Sequence, residues 1–120
     1  MNMANRHRGE ISAEFSGKTY TLCLTLGALA ELEDSFGASD ISGLAQKFEG
    51  AKLSARDILK IIACGLRGGG HDITDEEVAS LKVYGGLQDY VRIAARLLAA
   101  AFGESPEHGM SANPPSPQEA

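Results

Sequence analysis

Between Glu10 and Leu24 the apolar residues occupy alternate positions, and beyond Thr25 they recur every three to four. A switch from period two to period 3.6 implies strands first and helices after, so the chain reads as an α+β protein, mainly α. In the strand region Ile11, Ala13 and Phe15 fall on one side, followed by Tyr20, Leu22 and Leu24 on one side of the next segment. Placing Ser16-Gly17 in a two-residue hairpin turn sets Phe15 opposite Lys18, Ala13 opposite Tyr20 and Ile11 opposite Leu22, so both stripes share a face. A lone hairpin is marginally stable in water, and that face needs a cover from the following helices or from another subunit's strands. The expected cover is the first helix, through Leu26, Leu29 and Leu32.

About five short helices follow. The first carries Leu26, Leu29, Leu32 and Phe36 on one stripe, with Glu31, Asp34 and Ser35 away from it, and stops at Gly37. A second begins at Ser39 or Asp40, either of which can cap, and carries Ile41, Leu44, Ala45 and Phe48 toward Gly50. Ser54-Ala55-Arg56-Asp57 forms a capping box that opens a third helix with Ile58, Ile61, Ile62 and Leu66, whose stripe is wide enough for burial between neighbours. Thr74-Asp75-Glu76-Glu77 is a second capping box, and its helix is expected through Val78 and Leu81 to about Tyr84. The last helix, Leu87 to Phe102, places Leu87, Tyr90, Val91, Ala94, Leu98 and Ala101 on one face and Gln88, Arg92 and Arg96 off it.

These elements define one globular domain over residues 9–102, with a flexible basic arm over 1–8. Residues 103–120 hold all four prolines and no Lys or Arg, a composition expected to stay disordered. Translation from Met1 or from Met3 gives an ordinary N-terminus. The formal net charge of -5 argues against nucleic acid held by counterion release. Cys23 and Cys64 are far apart and outside any CxxC, as expected of reduced thiols in a cytoplasmic protein. No apolar run approaches the roughly 20 residues that a spanning helix needs, so no membrane association is expected.

Chemistry is harder to find. Gly65-Leu66-Arg67-Gly68-Gly69-Gly70-His71 invites a phosphate-loop reading, yet the glycines follow a helix and no Gly-Lys-Ser/Thr ends the run, so helix termination and a flexible linker are expected. His7, His71 and His108 are scattered, with no metal-ligand spacing. Ser39 and Ser54 read as helix caps rather than nucleophiles, and the pairs Glu31/Glu33 and Glu76/Glu77 read as solvated carboxylates. The chain is therefore expected to be no enzyme and to hold neither cofactor nor metal. The wide apolar stripes and the basic residues of the helices point to protein binding, with Ile58, Leu59, Ile62, Arg67, Arg92, Arg96, Leu98 and Phe102 as the candidate partner-binding set.

The order of elements, with Gly9-Glu10-Ile11, Gly17-Lys18-Thr19-Tyr20-Thr21-Leu22, Leu26-Gly27-Ala28-Leu29-Ala30-Glu31-Leu32-Glu33 and Phe36-Gly37, resembles the phage-tail proteins of gene transfer agents. Asn5-Arg6-His7-Arg8-Gly9-Glu10 and the glycine run after Gly65 are similar to members of that group as well. The resemblance extends over roughly Ala4 to Phe102. Such proteins are encoded among tail genes and are labelled tail tube protein or tail assembly chaperone. A tube subunit needs enough strands to close an inner β-barrel ring, whereas two are legible here. The resemblance thus implies a chaperone that shields the tape-measure protein in the cytoplasm during assembly. Contacts with other tail proteins and self-association are implied too. A structural, tube-associated tail component is the alternative, and a helical DNA-binding regulator the third reading, disfavoured by the acidic charge.

Overall fold

The structure is a computed structural model that describes residues 9–49 and 53–102. The basic arm and the proline-rich tail expected from the sequence lie outside the described residues. The elements follow as β1 (Glu10–Phe15), β2 (Lys18–Cys23), α1 (Leu26–Phe36), α2 (Ile41–Glu49), α3 (Ala55–Gly68), α4 (Asp75–Ala79) and α5 (Leu87–Phe102). This is the α+β, mainly helical architecture that the change of period dictates.

The strands pair antiparallel with Phe15 opposite Lys18, Ala13 opposite Tyr20 and Ile11 opposite Leu22. Ser16 and Gly17 both adopt positive φ, 52° and 83°, as a twisted two-residue hairpin turn requires. Ile11, Phe15 and Leu22 are buried and Tyr20 is half-buried, with its ring edge-on to Phe15. The cover differs from expectation. The sheet packs against α3 and α5, while α1 packs against α3 and α2, and Leu26 is 82% exposed. Thr25 explains that exposure: its side chain caps α1 by accepting from the Ala28 N–H at 3.1 Å, so Leu26 stands in the first turn, outside the stripe of Ala28, Leu29 and Leu32.

Asp40, not Ser39, caps α2 by accepting from Gly43 N at 2.7 Å. In this helix Leu44 is fully buried and Ile41 is exposed, because Ile41 belongs to the capping turn rather than to the packed face. Both capping boxes form as read, Ser54 with Asp57 and Thr74 with Glu77. The helix after Thr74 nevertheless ends at Ala79, not near Tyr84. The chain leaves α4 so that Lys82 O can accept from Ser16 N at 2.7 Å and Lys82 N can donate to Ser16 Oγ at 3.2 Å, tying the hairpin turn to the α4–α5 connection.

Nor is the glycine run a linker. Helix α3 continues through Gly68, and Gly68 and Gly69 press against β2 so closely that an added Cβ would lie 1.9 Å from Cys23 O and 1.9 Å from Thr21 O. The pair flanking a two-residue turn is hydrogen-bonded and pairs alternate, so Thr21 and Cys23 turn their backbone groups to the outer edge of β2. Glycine is what lets the helix end cover that edge.

Helix α5 is also rotated from expectation. Its buried residues are Ile93, Ala94 and Leu97, whereas Leu87 is 68% and Val91 46% exposed. Ala94 is buried as expected, α5 packs on α3 and the sheet, and Leu97 lies beside Gly65 of α3. The buried residues of all elements form one cluster, with Phe15, Leu22, Leu32, Ile61, Leu66 and Leu97 fully enclosed, each contributing about 1.5–3 kcal/mol by removal from water.

Candidate functional site

Because α5 keeps Leu87 out of the core and α4 is short, a groove opens between α3, α4 and the start of α5. Its volume is about 480 Å³ and its lining is mainly apolar: Phe15, Ile58, Leu59, Ile62, Val78 and Tyr90, with Ala55, Arg56, Ala79 and Leu87 completing the walls. Phe15, Ile58, Ile62 and Val78 are buried, Leu59 and Tyr90 half-buried, and Ala55, Ala79 and Leu87 exposed. Tyr90 is fixed by its hydroxyl, which donates to Leu81 O. Val91 stands one helical turn beyond Leu87, so the apolar surface continues past the groove along α5.

A smaller groove of about 280 Å³ lies between α2 and α5, lined by Ala45, Phe48, Ala95, Leu98, Ala99 and Phe102 with Glu49 at its edge. Phe48 holds this end together, packed edge-on to Phe36 and tilted against Phe102.

The expected partner-binding set is therefore divided. Ile58, Leu59 and Ile62 line the larger groove, Leu98 and Phe102 the smaller one. Ile58 and Ile62 are core residues that present only an edge. Arg92 pairs with Asp89 on the exposed face of α5, where Arg96 is exposed too. Arg67 is turned to neither groove. Its guanidinium reaches Glu31 at 2.7 Å and Asp75 at 2.9 Å, and also donates to Ile73 O at 3.0 Å. Lys60 meets the same two carboxylates at 2.9 and 3.2 Å. Glu31 is thus no solvated carboxylate but part of a four-residue ring that ties α1, α3 and α4.

The ring has a definite electrostatic sense. The Lys60 ammonium holds the Glu31 carboxyl below its ordinary value against the opposing effect of desolvation. Reciprocally, Glu31 raises Lys60. At Asp75 desolvation is the largest influence and pushes upward, but hydrogen bonds from Arg67 and Lys60 outweigh it and the net direction is down. Beside the ring, burial first and the Glu31 charge second push the Cys64 thiol up to about 12. Such a thiol stays protonated, which makes it a packing residue rather than a nucleophile.

Phe15, Val78, Leu87 and Tyr90 are groove residues that the sequence reading missed. Leu87 stands almost in line with the buried Ala94, seven residues on, so periodicity does not signal its exposure; Leu87 is the first residue of α5. Elsewhere, His71 packs edge-on to Tyr20, with Nε2 buried and without a hydrogen-bond partner among the described residues. Among the described residues no His, Cys, Asp and Glu cluster is placed to hold a metal ion, and no helix is long and apolar enough to cross a membrane.

Among the described residues the architecture is thus a two-stranded hairpin packed on helices, with two apolar grooves among its concave features. The family described as phage tail tube protein, GTA-gp10, matches residues 8–104, and the chain belongs to that family of gene transfer agent and phage tail proteins. No curated protein and no solved structure matches the chain.

Proposed function

We propose that this tail protein is an assembly chaperone that binds apolar segments of the tape-measure protein in the cytoplasm and hands them over as tube subunits polymerise. It acts by binding, without catalysis. The observation that carries this reading is the groove between α3, α4 and α5, whose apolar lining runs on into the exposed Leu87 and Val91. Apolar surface left open on a small protein favours a partner that buries it, and a groove walled by helices suits a helical segment. Release follows when a competing surface offers more burial.

A second reading, a structural component retained in the tail, is favoured by the family's description as a tube protein. The described residues offer a two-stranded sheet, and closing a barrel wall from it would take strands from neighbouring subunits. Self-association fits this second reading better than the first.

Co-expression with the tape-measure protein separates the two. The chaperone reading expects that protein to stay soluble only in the presence of the small protein, and purified particles to contain little of it by mass spectrometry. Stoichiometric recovery in particles, with no effect on tape-measure solubility, would overturn it in favour of the structural role.

A further inference from the structure

Three cations stand along α3, and two of them are consumed: Lys60 and Arg67 are both held by Glu31 and Asp75. Arg56, in the first turn of α3, makes no ion pair among the described residues, is exposed, and is the charged side chain in the wall of the larger groove. An exposed cation at the lip of an apolar groove favours a partner that brings apolar side chains and an anion together. The neighbouring Asp57 is engaged in the capping box with Ser54, its carboxylate accepting from Ser54 N at 3.0 Å, and makes no ion pair with Arg56 among the described residues.

The walls specify the shape of that partner. On α3 the groove residues Ala55, Leu59 and Ile62 follow one another at helical spacing, and on α5 Leu87 and Tyr90 stand at i and i+3. Ridges of this kind accept the side chains of a third helix laid between them. Ala55 of α3 and Ala79 of α4 are small exposed residues of the lining, so a backbone can come close there. We infer that the groove receives one amphipathic helix bearing large apolar residues at i, i+3 or i+4 and i+7, with an Asp or Glu in the turn that meets Arg56. This inference rests on the chaperone reading and specifies which tape-measure segments are bound.

The test uses the full chain and fluorescein-labelled overlapping 20-residue peptides spanning the tape-measure protein, with anisotropy for affinity and stopped flow for rates. Peptides that bind are expected to gain helical circular dichroism and to carry a carboxylate beside an apolar stripe. Arg56→Glu should slow their association by about tenfold at low salt, the difference shrinking as salt is raised, because a charge at the lip acts mainly on encounter. Exchanging the peptide's carboxylate for Lys should restore binding to Arg56→Glu, a reciprocity that a merely structural role for Arg56 would not produce. Binding by peptides without an acid, or an Arg56→Glu variant with wild-type kinetics, would overturn the assignment of the anion while leaving the chaperone reading in place. No binding by any peptide, together with a soluble full-length tape-measure protein on co-expression, would overturn the helix-in-groove assignment alone. No peptide binding with an insoluble tape-measure protein would overturn the chaperone reading itself. A change of sedimentation in Arg56→Glu or Leu59→Ser without peptide binding would assign the groove to a second copy of the chain and overturn the proposal.

Discussion

A methyl group on Gly68 or Gly69 would meet a β2 carbonyl oxygen at 1.9 Å, and backbone cannot step aside as a side-chain tip can. Gly68→Ala is therefore expected to cost about 3 kcal/mol despite the better helix propensity of alanine, measured by urea denaturation. Gly65→Ala provides the contrast. There the added Cβ would approach Leu97 Cδ2, the far end of a flexible side chain, and a cost nearer 1 kcal/mol is expected. Equal stability of Gly68→Ala and wild type would show that the helix end does not sit on the strand. The glycines look like a linker in sequence because the atoms that demand them belong to residues 21 and 23, far back in the chain.

Ion pairs join α1, α3 and α4, and their pH dependence has a predictable sign. Glu31 and Asp75 are held below their ordinary values. Their contribution is complete above the unfolded carboxylate range near pH 4 and is lost as pH falls through the depressed values. Lys60 is raised, so its contribution is complete below about pH 10.4 and is lost as pH rises through the raised value. Glu31→Gln should lower stability by on the order of 1 kcal/mol near neutrality, a modest figure for half-exposed partners, and should flatten the stability profile between about pH 6 and pH 2. Denaturation curves across that range check both. At this scale the sequence is most readable where a signal is local. The Ser16-Gly17 turn, both capping boxes and the strand register need only neighbouring residues. The phase of α5 is not legible in the sequence because alanines and leucines surround the helix, and only packing against α3 and the sheet separates Ile93 and Leu97 from Leu87 and Val91. The groove was half legible for the same reason: its α3 wall follows from periodicity, while Phe15 and Val78 arrive from other elements.

On the scale of the whole molecule, Cys64 reports on the integrity of the core. It is fully buried with its thiol pushed up to about 12, so iodoacetamide should leave it unmodified in the native protein and label it only at the rate of unfolding, as peptide mass spectrometry would show. Native labelling at the rate of a free thiol would mean that α3 opens locally. Leu87→Asp tests the surface instead. At 68% exposure the change should alter stability by no more than about 0.5 kcal/mol, and under the proposed chaperone reading tape-measure solubility on co-expression should fall sharply. The clasp between Ser16 and Lys82, which joins positions 66 apart, has a consequence for synthesis. Phe15 of β1 and Leu87 and Tyr90 of α5 line the same groove, so it cannot assemble until α5 has left the ribosome. A nascent chain that stops short of α5 would carry the apolar residues of α3 but not their arrangement, and under the proposed chaperone reading it would hold no client.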